Sequence, residues 1–294
     1  MKIGMIGIDT SHCPAFTKLI NVDSDPYHVP GGKVVIGYPG GSPDLAVSYE
    51  RVEKFTAELR DVYGVKIVDS IEAVAEASDA ILLESVDGRQ HLEQFAKIAP
   101  YGKPVFIDKP IATSKRDAEA IFELAEKHGT PVFSTSALRY AAGIFELAAG
   151  EEVLGCETFG PTAIQEGFPA LYWYGVHSAD MLFSKMGTGC RRVQVNMTDK
   201  VDMITGLWDD GRVGTIYGHR LKGVSAFGAT VFTASGVHHA VAGKTPPYYA
   251  LLLQRVMEFF KTGEPPVDPA ETIEIAAFLE AGNKSRLTGE PVEL

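Results

Sequence analysis

Residues 1–16 read MKIGMIGIDTSHCPAF. Ile3, Met5 and Ile6 lead directly into Gly7, and Pro14 follows seven residues later. A β-branched, apolar run that ends in glycine reads as a strand entering a tight turn. Proline suits a first helical turn, because its missing N–H would have no partner there anyway. Strand, turn and helix in this order open a phosphate-binding βα unit, whose fingerprint is G-x-G-x-x-G. Here Gly7 is followed by Asp9 and His12 at the second and third glycine positions. Asp9 places a carboxylate where two phosphate charges would lie, and like charges at ~4 Å repel by about 1 kcal/mol even in bulk water. The alternative is that Asp9, Thr10 or Ser11 caps the helix and turns its side chain inward. Thr10 and Ser11 still offer hydroxyls to a phosphate oxygen. His12 either packs in place of glycine or points at a ligand.

Outward from this turn, strand and helix alternate. KVVIGYPG (33–40) is a β-branched strand stopped by Pro39 and Gly40. Residues 45–62 have helical spacing, with Val52, Phe55 and Leu59 on one stripe. VKIVD (65–69), DAILLESV (79–86), KPVFIDKP (103–110) and TPVFSTSAL (130–138) read as strands. IEAVAEA, HLEQFAKIAPYG and SKRDAEAIFELAEKHG read as the helices between them, the last with Ser114 as N-cap and Gly129 past its end. The alternation predicts right-handed crossovers and a Rossmann-type, doubly wound parallel sheet over residues 1–138.

Residues 139–294 follow another pattern. ALYWYGVHSADMLFSKMG is a helix candidate. RRVQVNM, DMITGLW, RVGTIYGHR and ATVFTAS are strand-like, and Asp209-Asp210-Gly211 is a hairpin turn between two of them. Two further helices close the chain. The expectation is a second α/β domain with an open, mostly antiparallel sheet.

Composition narrows the partners. The chain has 294 residues, a formal net charge of −11, 45% hydrophobic and 22% charged residues. The negative balance argues against nucleic acid and anionic membranes, which require basic surfaces. Cys13, Cys156 and Cys190 are far apart and odd in number, which fits a reducing compartment. No apolar run approaches the ~20 residues of a membrane span, and the first residues do not read as a signal peptide. A cytoplasmic location is expected.

Two stretches together carry a resemblance. FIDKPIATS (106–114) resembles the Glu-Lys-Pro segment at the fifth strand of the glucose-fructose oxidoreductase / inositol dehydrogenase (Gfo/Idh/MocA) family, and WYGVHSAD (173–180) is similar to its Asp-x-Gly-x-His-x-x-Asp helix. DAILLESVDGRQH resembles the family's fourth strand and keeps His91, and RLTGEPVEL resembles its C-terminal signature. The resemblance implies an NAD(P)-dependent dehydrogenase acting on a CHOH group of a sugar, cyclitol or related polyol. It also implies a homodimer or homotetramer formed through the second sheet. The alternatives are a redox-assisted lyase or hydrolase with tightly held NAD, and a non-catalytic, ligand-sensing regulator.

The same resemblance assigns roles. Lys109 and His177 are the catalytic candidates: the ammonium steadies the reacting oxygen and the imidazole takes its proton. Cofactor contacts are expected from Gly7, Ile8, Thr10, Ser11, His12, Tyr38, Ser42, Ser85, His91, Asp108 and Lys109. Substrate contacts are expected from Lys109, Trp173, Tyr174, His177 and Tyr248. Trp173 replaces the family's Asp, so the usual carboxylate is missing one helical turn before His177. Asp180, three residues after His177, either orients the imidazole or, like the family's second Asp that it matches, is structural. Asp44 comes late for a ribose-binding acid at the end of the second strand, and no Arg stands next to Ser42 for a 2′-phosphate, so NAD and NADP both remain open. No metal site is expected.

Overall fold

The computed structural model describes all 294 residues. In chain order the elements are β1 (Lys2–Ile6), α1 (His12–Asn21), β2 (Lys33–Tyr38), α2 (Ala46–Tyr49), α3 (Val52–Asp61), β3 (Lys66–Ile67), α4 (Ile71–Ala77), β4 (Ala80–Leu83), α5 (His91–Ile98), β5 (Val105–Ile107), α6 (Lys115–His128) and β6 (Val132–Ser134). They continue with β7 (Val153–Pro161), α7 (Ala170–Trp173), α8 (Gly175–Met186), β8 (Cys190–Met197), β9 (Val201–Trp208), β10 (Val213–His219), β11 (Gly228–Thr233), β12 (Gly236–Val241), α9 (Tyr248–Thr262), α10 (Pro269–Thr288) and β13 (Val292–Glu293). Two compact units result. One holds Met1–Ala112, Arg116–Thr135 and Tyr249–Pro269; the other holds Thr113–Lys115, Ser136–Tyr248 and Ala270–Leu294.

The first unit is a six-stranded sheet in the order β3-β2-β1-β4-β5-β6, and every described pair is parallel. β4 reads AILL and is buried along its whole length, as a strand covered on both faces must be. The order reverses between β1 and β4, so the crevice at their carboxyl ends is the switch point where such sheets take ligands. Ser70 caps α4, its Oγ accepting from the Ala73 amide at 3.2 Å. The helical stretch 45–62 is broken into α2 and α3 at Glu50–Arg51. The segment Tyr249–Pro269 returns to this unit, where Phe259 packs edge-on against Phe133 of β6 with ring centroids 4.7 Å apart.

The second unit is built on a seven-stranded sheet, β12-β11-β7-β10-β9-β8-β13. It is antiparallel except for one pair, β7 with β10, which runs parallel. The turn after Trp208 joins β9 to β10 as expected, with the Trp208 amide donating to Arg212 O at 2.9 Å. β7 was not anticipated. Its glycines and charges interrupt the apolar alternation, and its pairing is set by β10 and β11 rather than by its own pattern. The helix around 170–187 is likewise split, with Tyr174 lying between α7 and α8. Trp208 is fully buried against Phe183, and Phe183 also meets Phe278 of α10. Burying each such ring is worth about 1.5–3 kcal/mol. No helix is long and apolar enough to cross a membrane.

Candidate functional site

β1 delivers Gly7 at φ +82°, and a Cβ there would fall 2.1 Å from Ser85 Oγ. Only glycine fits, for both its left-handed backbone and its contact with the loop after β4. The Gly7 and Ile8 amides donate to Tyr38 O and Pro39 O, at 3.0 and 2.6 Å. The loops after β1, β2 and β4 therefore share one tight junction.

Asp9 is buried and turned inward, but it does not cap α1. One of its oxygens accepts from the Val86 amide at 2.9 Å and the other from Ser48 Oγ at 2.6 Å. Burial raises its pKa above the ordinary aspartate value against the pull of those two donors. Ser11 is the N-cap position of α1 and makes no side-chain cap bond. Thr10 Oγ1 accepts from the His12 amide at 3.4 Å.

The loop after β2 folds back over the same junction. Ser42 Oγ donates to Asp87 at 2.7 Å, the Ser42 amide donates to Ser48 Oγ at 2.6 Å, and Gln90 reaches Gly41 O at 3.3 Å. Tyr38 lies half-buried at the strand end. Asp44 is exposed and makes no bond to this junction. A depression of about 320 Å³ lies between this loop and α3, lined by Pro39, Gly40, Val52, Thr56 and Arg60 among others. α3 brings Arg60 to this loop, where its Nε and Nη2 donate to Asp61 at 2.7 and 2.9 Å.

His12 stands at the third glycine position. Its Nδ1 is 2.8 Å from Asp108 Oδ2, and its ring stacks on Phe16 and meets Tyr249 edge-on. Asp108 follows β5 directly, its amide donating to Leu83 O at 2.8 Å. Burial opposes its charge, but His12 and Lys109 more than offset that and hold its carboxyl at about 2. Lys109 is half-buried at the same strand end.

Glu84, which the sequence reading passed over, lies beside them. It follows β4, is fully buried, and neither carboxylate oxygen has a hydrogen-bond partner. Burial pushes its pKa well above the ordinary value; Asp108 and Asp9 add to that and Lys109 opposes it. The signal was present in DAILLE: a carboxylate placed directly after an unbroken apolar strand.

Ser85 and His91 lie fully buried behind these loops. Ser85 Oγ donates to Gln94 at 2.8 Å. His91 Nε2 lies 2.8 Å from Ser85 O, and its Nδ1 lies 3.0 Å from both Pro110 O and Ile111 O. His91 thus ties the loop after β4 to the one after β5. Ile8 is fully buried as well.

In the second unit, His177 lies on the first turn of α8. Its Nδ1 is 2.7 Å from Ser136 Oγ, and its ring meets Tyr174 and Phe227 edge-on. Asp180 accepts from the Ser136 amide at 2.9 Å and from Arg139 Nε at 2.5 Å. His177 Nδ1 thus meets Ser136 Oγ, and Asp180 holds the Ser136 backbone amide. Arg139 also pairs with Glu271. Trp173 is partly buried against Phe168, and Tyr174 is exposed. Tyr248 packs on the cluster of Leu138, Ala141, Ile144 and Met181, and burial raises its phenol pKa.

The first unit's framework fits a dinucleotide. Gly7 makes the turn, Ser11 is exposed at the start of α1, and the Asp9 charge is directed into the protein rather than at the helix start.

Comparison with known proteins agrees with this geometry. Residues 34–136 match the GFO_IDH_MocA family model, described as "Oxidoreductase family, NAD-binding Rossmann fold". The sequence matches no curated protein. Among solved structures, a probable dehydrogenase from Thermotoga maritima aligns with a TM-score of 0.79 at 17% identity, covering 100% of this chain and 98% of that one. Myo-inositol dehydrogenase from Lactobacillus casei, solved with NAD(H) and myo-inositol, aligns at 0.78 and 17%, covering 100% and 96%. Apo scyllo-inositol dehydrogenase from Lactobacillus casei aligns at 0.79 and 12%, covering 100% and 98%. These likenesses show a shared fold over the whole chain.

Proposed function

We propose that this chain, which carries the NAD-binding Rossmann domain of the GFO_IDH_MocA oxidoreductase family, is an NAD(P)-dependent dehydrogenase acting on a CHOH group of a sugar, cyclitol or related polyol. The observation that carries the reading is the match of residues 34–136, which spans the DKP strand end and stops at Ser136. The myo-inositol named with the Lactobacillus casei enzyme supports the substrate class.

In this reading Gly7, Thr10 and Ser11 hold the diphosphate at the start of α1, where backbone amides and the helix dipole favour anions. Pro39, Gly40 and Arg60 meet the adenosine end. When bound, the nicotinamide accepts or returns the hydride of the CHOH carbon. The other half of the reaction is a proton transfer by this chain's residues. Lys109 donates a hydrogen bond to the substrate oxygen and steadies its developing negative charge. His177 takes the hydroxyl proton at Nε2, which requires Nδ1–H to donate to Ser136 Oγ. Trp173 and Tyr174 offer aromatic faces to the apolar side of a sugar ring.

The second sheet supports self-association. Its outer face exposes Leu154, Met203, Tyr217 and Phe232, the kind of apolar surface that marks an interface. A homodimer or homotetramer through this face is expected, and light scattering on the purified chain measures it.

The test is native mass spectrometry of the purified protein, followed by absorbance at the reduced-nicotinamide band with NAD⁺ or NADP⁺ and a polyol panel. Cofactor binding with polyol-dependent reduction is expected. His177→Ala and Lys109→Ala should each lower turnover about 100-fold or more, as loss of acid–base help does. Near-normal rates in both would reject the assigned roles, and absence of binding by either cofactor would reject the reading.

A further inference from the structure

Glu84 and His219 each have both side-chain polar atoms buried without a hydrogen-bond partner, and of the two only Glu84 is a carboxyl group. Both of its oxygens are buried and lack a donor. A buried ionised carboxylate without partners is strongly disfavoured. Protonation removes the charge but does not resolve the problem, because the carboxyl O–H would then lack an acceptor. Most buried polar groups find partners, so a persistent exception calls for a missing one.

The surroundings indicate what the partner is. His12, Glu84 and Asp108 are all buried, and one ligand atom from each lies within 4.8 Å of the others. These separations are too long for Glu84 to hydrogen-bond and close to those around a shared ion. A cation with bonds of about 2.1 Å sets its ligands roughly 3–4.2 Å apart. The backbones of two of the three are held by the sheet: the Glu84 amide donates to Ile6 O at 2.7 Å, and the Asp108 amide to Leu83 O at 2.8 Å. His12 opens α1 directly beyond the Gly7 turn. Three neighbouring parallel strands therefore present the three donors from their carboxyl ends.

We propose that His12, Glu84 and Asp108 form a binding site for one first-row transition-metal dication, Zn²⁺, Fe²⁺ or Mn²⁺. One imidazole and two carboxylates suit these ions, whereas Mg²⁺ and Ca²⁺ prefer oxygen alone. Cys13 is close in sequence but donates its thiol to Gly7 O at 3.3 Å, so no sulfur joins the set. A dication supplies Glu84 with the partner it lacks. The proposal goes beyond the dehydrogenase reading and does not depend on it, since metal binding is measured without nicotinamide or substrate.

The experiment uses the full chain, stripped with a chelator and titrated calorimetrically with Zn²⁺ and Mn²⁺. One equivalent per chain is expected. Glu84→Gln keeps the shape and removes the charge, and it should weaken binding about 100-fold or more, beyond the 10–100-fold typical of losing a group that only supports a ligand. Asp108→Asn is the second variant should Glu84→Gln not fold, as judged by circular dichroism. X-ray absorption on the wild-type Zn²⁺ form needs no variant; it should show one imidazole, oxygen ligands and no sulfur. No binding at millimolar metal, undiminished binding in a folded variant, or a ligand set of sulfur or several imidazoles would each overturn the site.

Discussion

Two buried clusters of acids, one in each unit, are resolved in opposite ways. In the second unit Arg139 lies between Asp180 and Glu271. Burial opposes its charge, but the two acids more than offset that and hold its proton more tightly than usual. Asp202 is answered likewise by Arg220 and Arg286, at 2.5 and 3.1 Å. In the first unit Asp9, Glu84 and Asp108 converge at the carboxyl ends of β1, β4 and β5. His12 and Lys109 answer Asp108, Ser48 and Val86 answer Asp9, and nothing donates to Glu84. A closed network is explained by the fold it holds together. An open one at a switch point is explained by a ligand.

The largest expected effect comes from breaking the closed side. Arg139→Ala leaves Asp180 buried and Glu271 partly buried without their cation, a type of loss that costs about 3–5 kcal/mol where the pair is fully buried. Chemical denaturation should show the unfolding midpoint falling accordingly. An unchanged midpoint would mean the network adds nothing to stability.

An intermediate test lies within the first unit and asks whether openness is peculiar to Glu84. Asp87 is a neighbour with a complete set of partners. Burial raises its pKa, but Arg89 and Ser42 more than offset that and hold it below the ordinary value. A carboxyl held low in the folded state contributes stability above its unfolded pKa of about 3.9, and the contribution is lost as pH falls through the folded value. Arg89→Ala should therefore move acid unfolding to higher pH, read by circular dichroism across a pH series. The smallest effect is expected from Ser42→Ala, which removes one hydrogen bond from the loop after β2 and costs about 1 kcal/mol.

Legibility in the sequence divides along the same line. The parallel sheet was readable because AILL, VFI and VVI are unbroken apolar strands separated by helical stretches. The Asp209–Gly211 hairpin was readable from its turn residues. β7 was not, because its parallel pairing with β10 depends on chain more than fifty residues away. The Gly7 turn is legible from its motif, Lys109 and His177 stand as candidates from theirs, and the inward turn of Asp9 is one of two readings the sequence allows. Ser136 as the partner of His177 escaped notice, since serine at the end of a strand carries no pattern. Glu84 belongs to no motif, and its meaning depends on which donors the other strand ends fail to provide.

The measurement that bears most directly on this contrast is the stability of Glu84→Met beside the wild type, by chemical denaturation with and without Zn²⁺. Without metal, removing an unanswered buried carboxyl should stabilise the protein by about 1–3 kcal/mol. With Zn²⁺ at about 100 times its dissociation constant, the wild type should gain roughly 2.7 kcal/mol and the variant nothing, erasing or reversing the order. A variant less stable than the wild type without metal, with Zn²⁺ shifting both equally, would show that Glu84 belongs to a closed network after all.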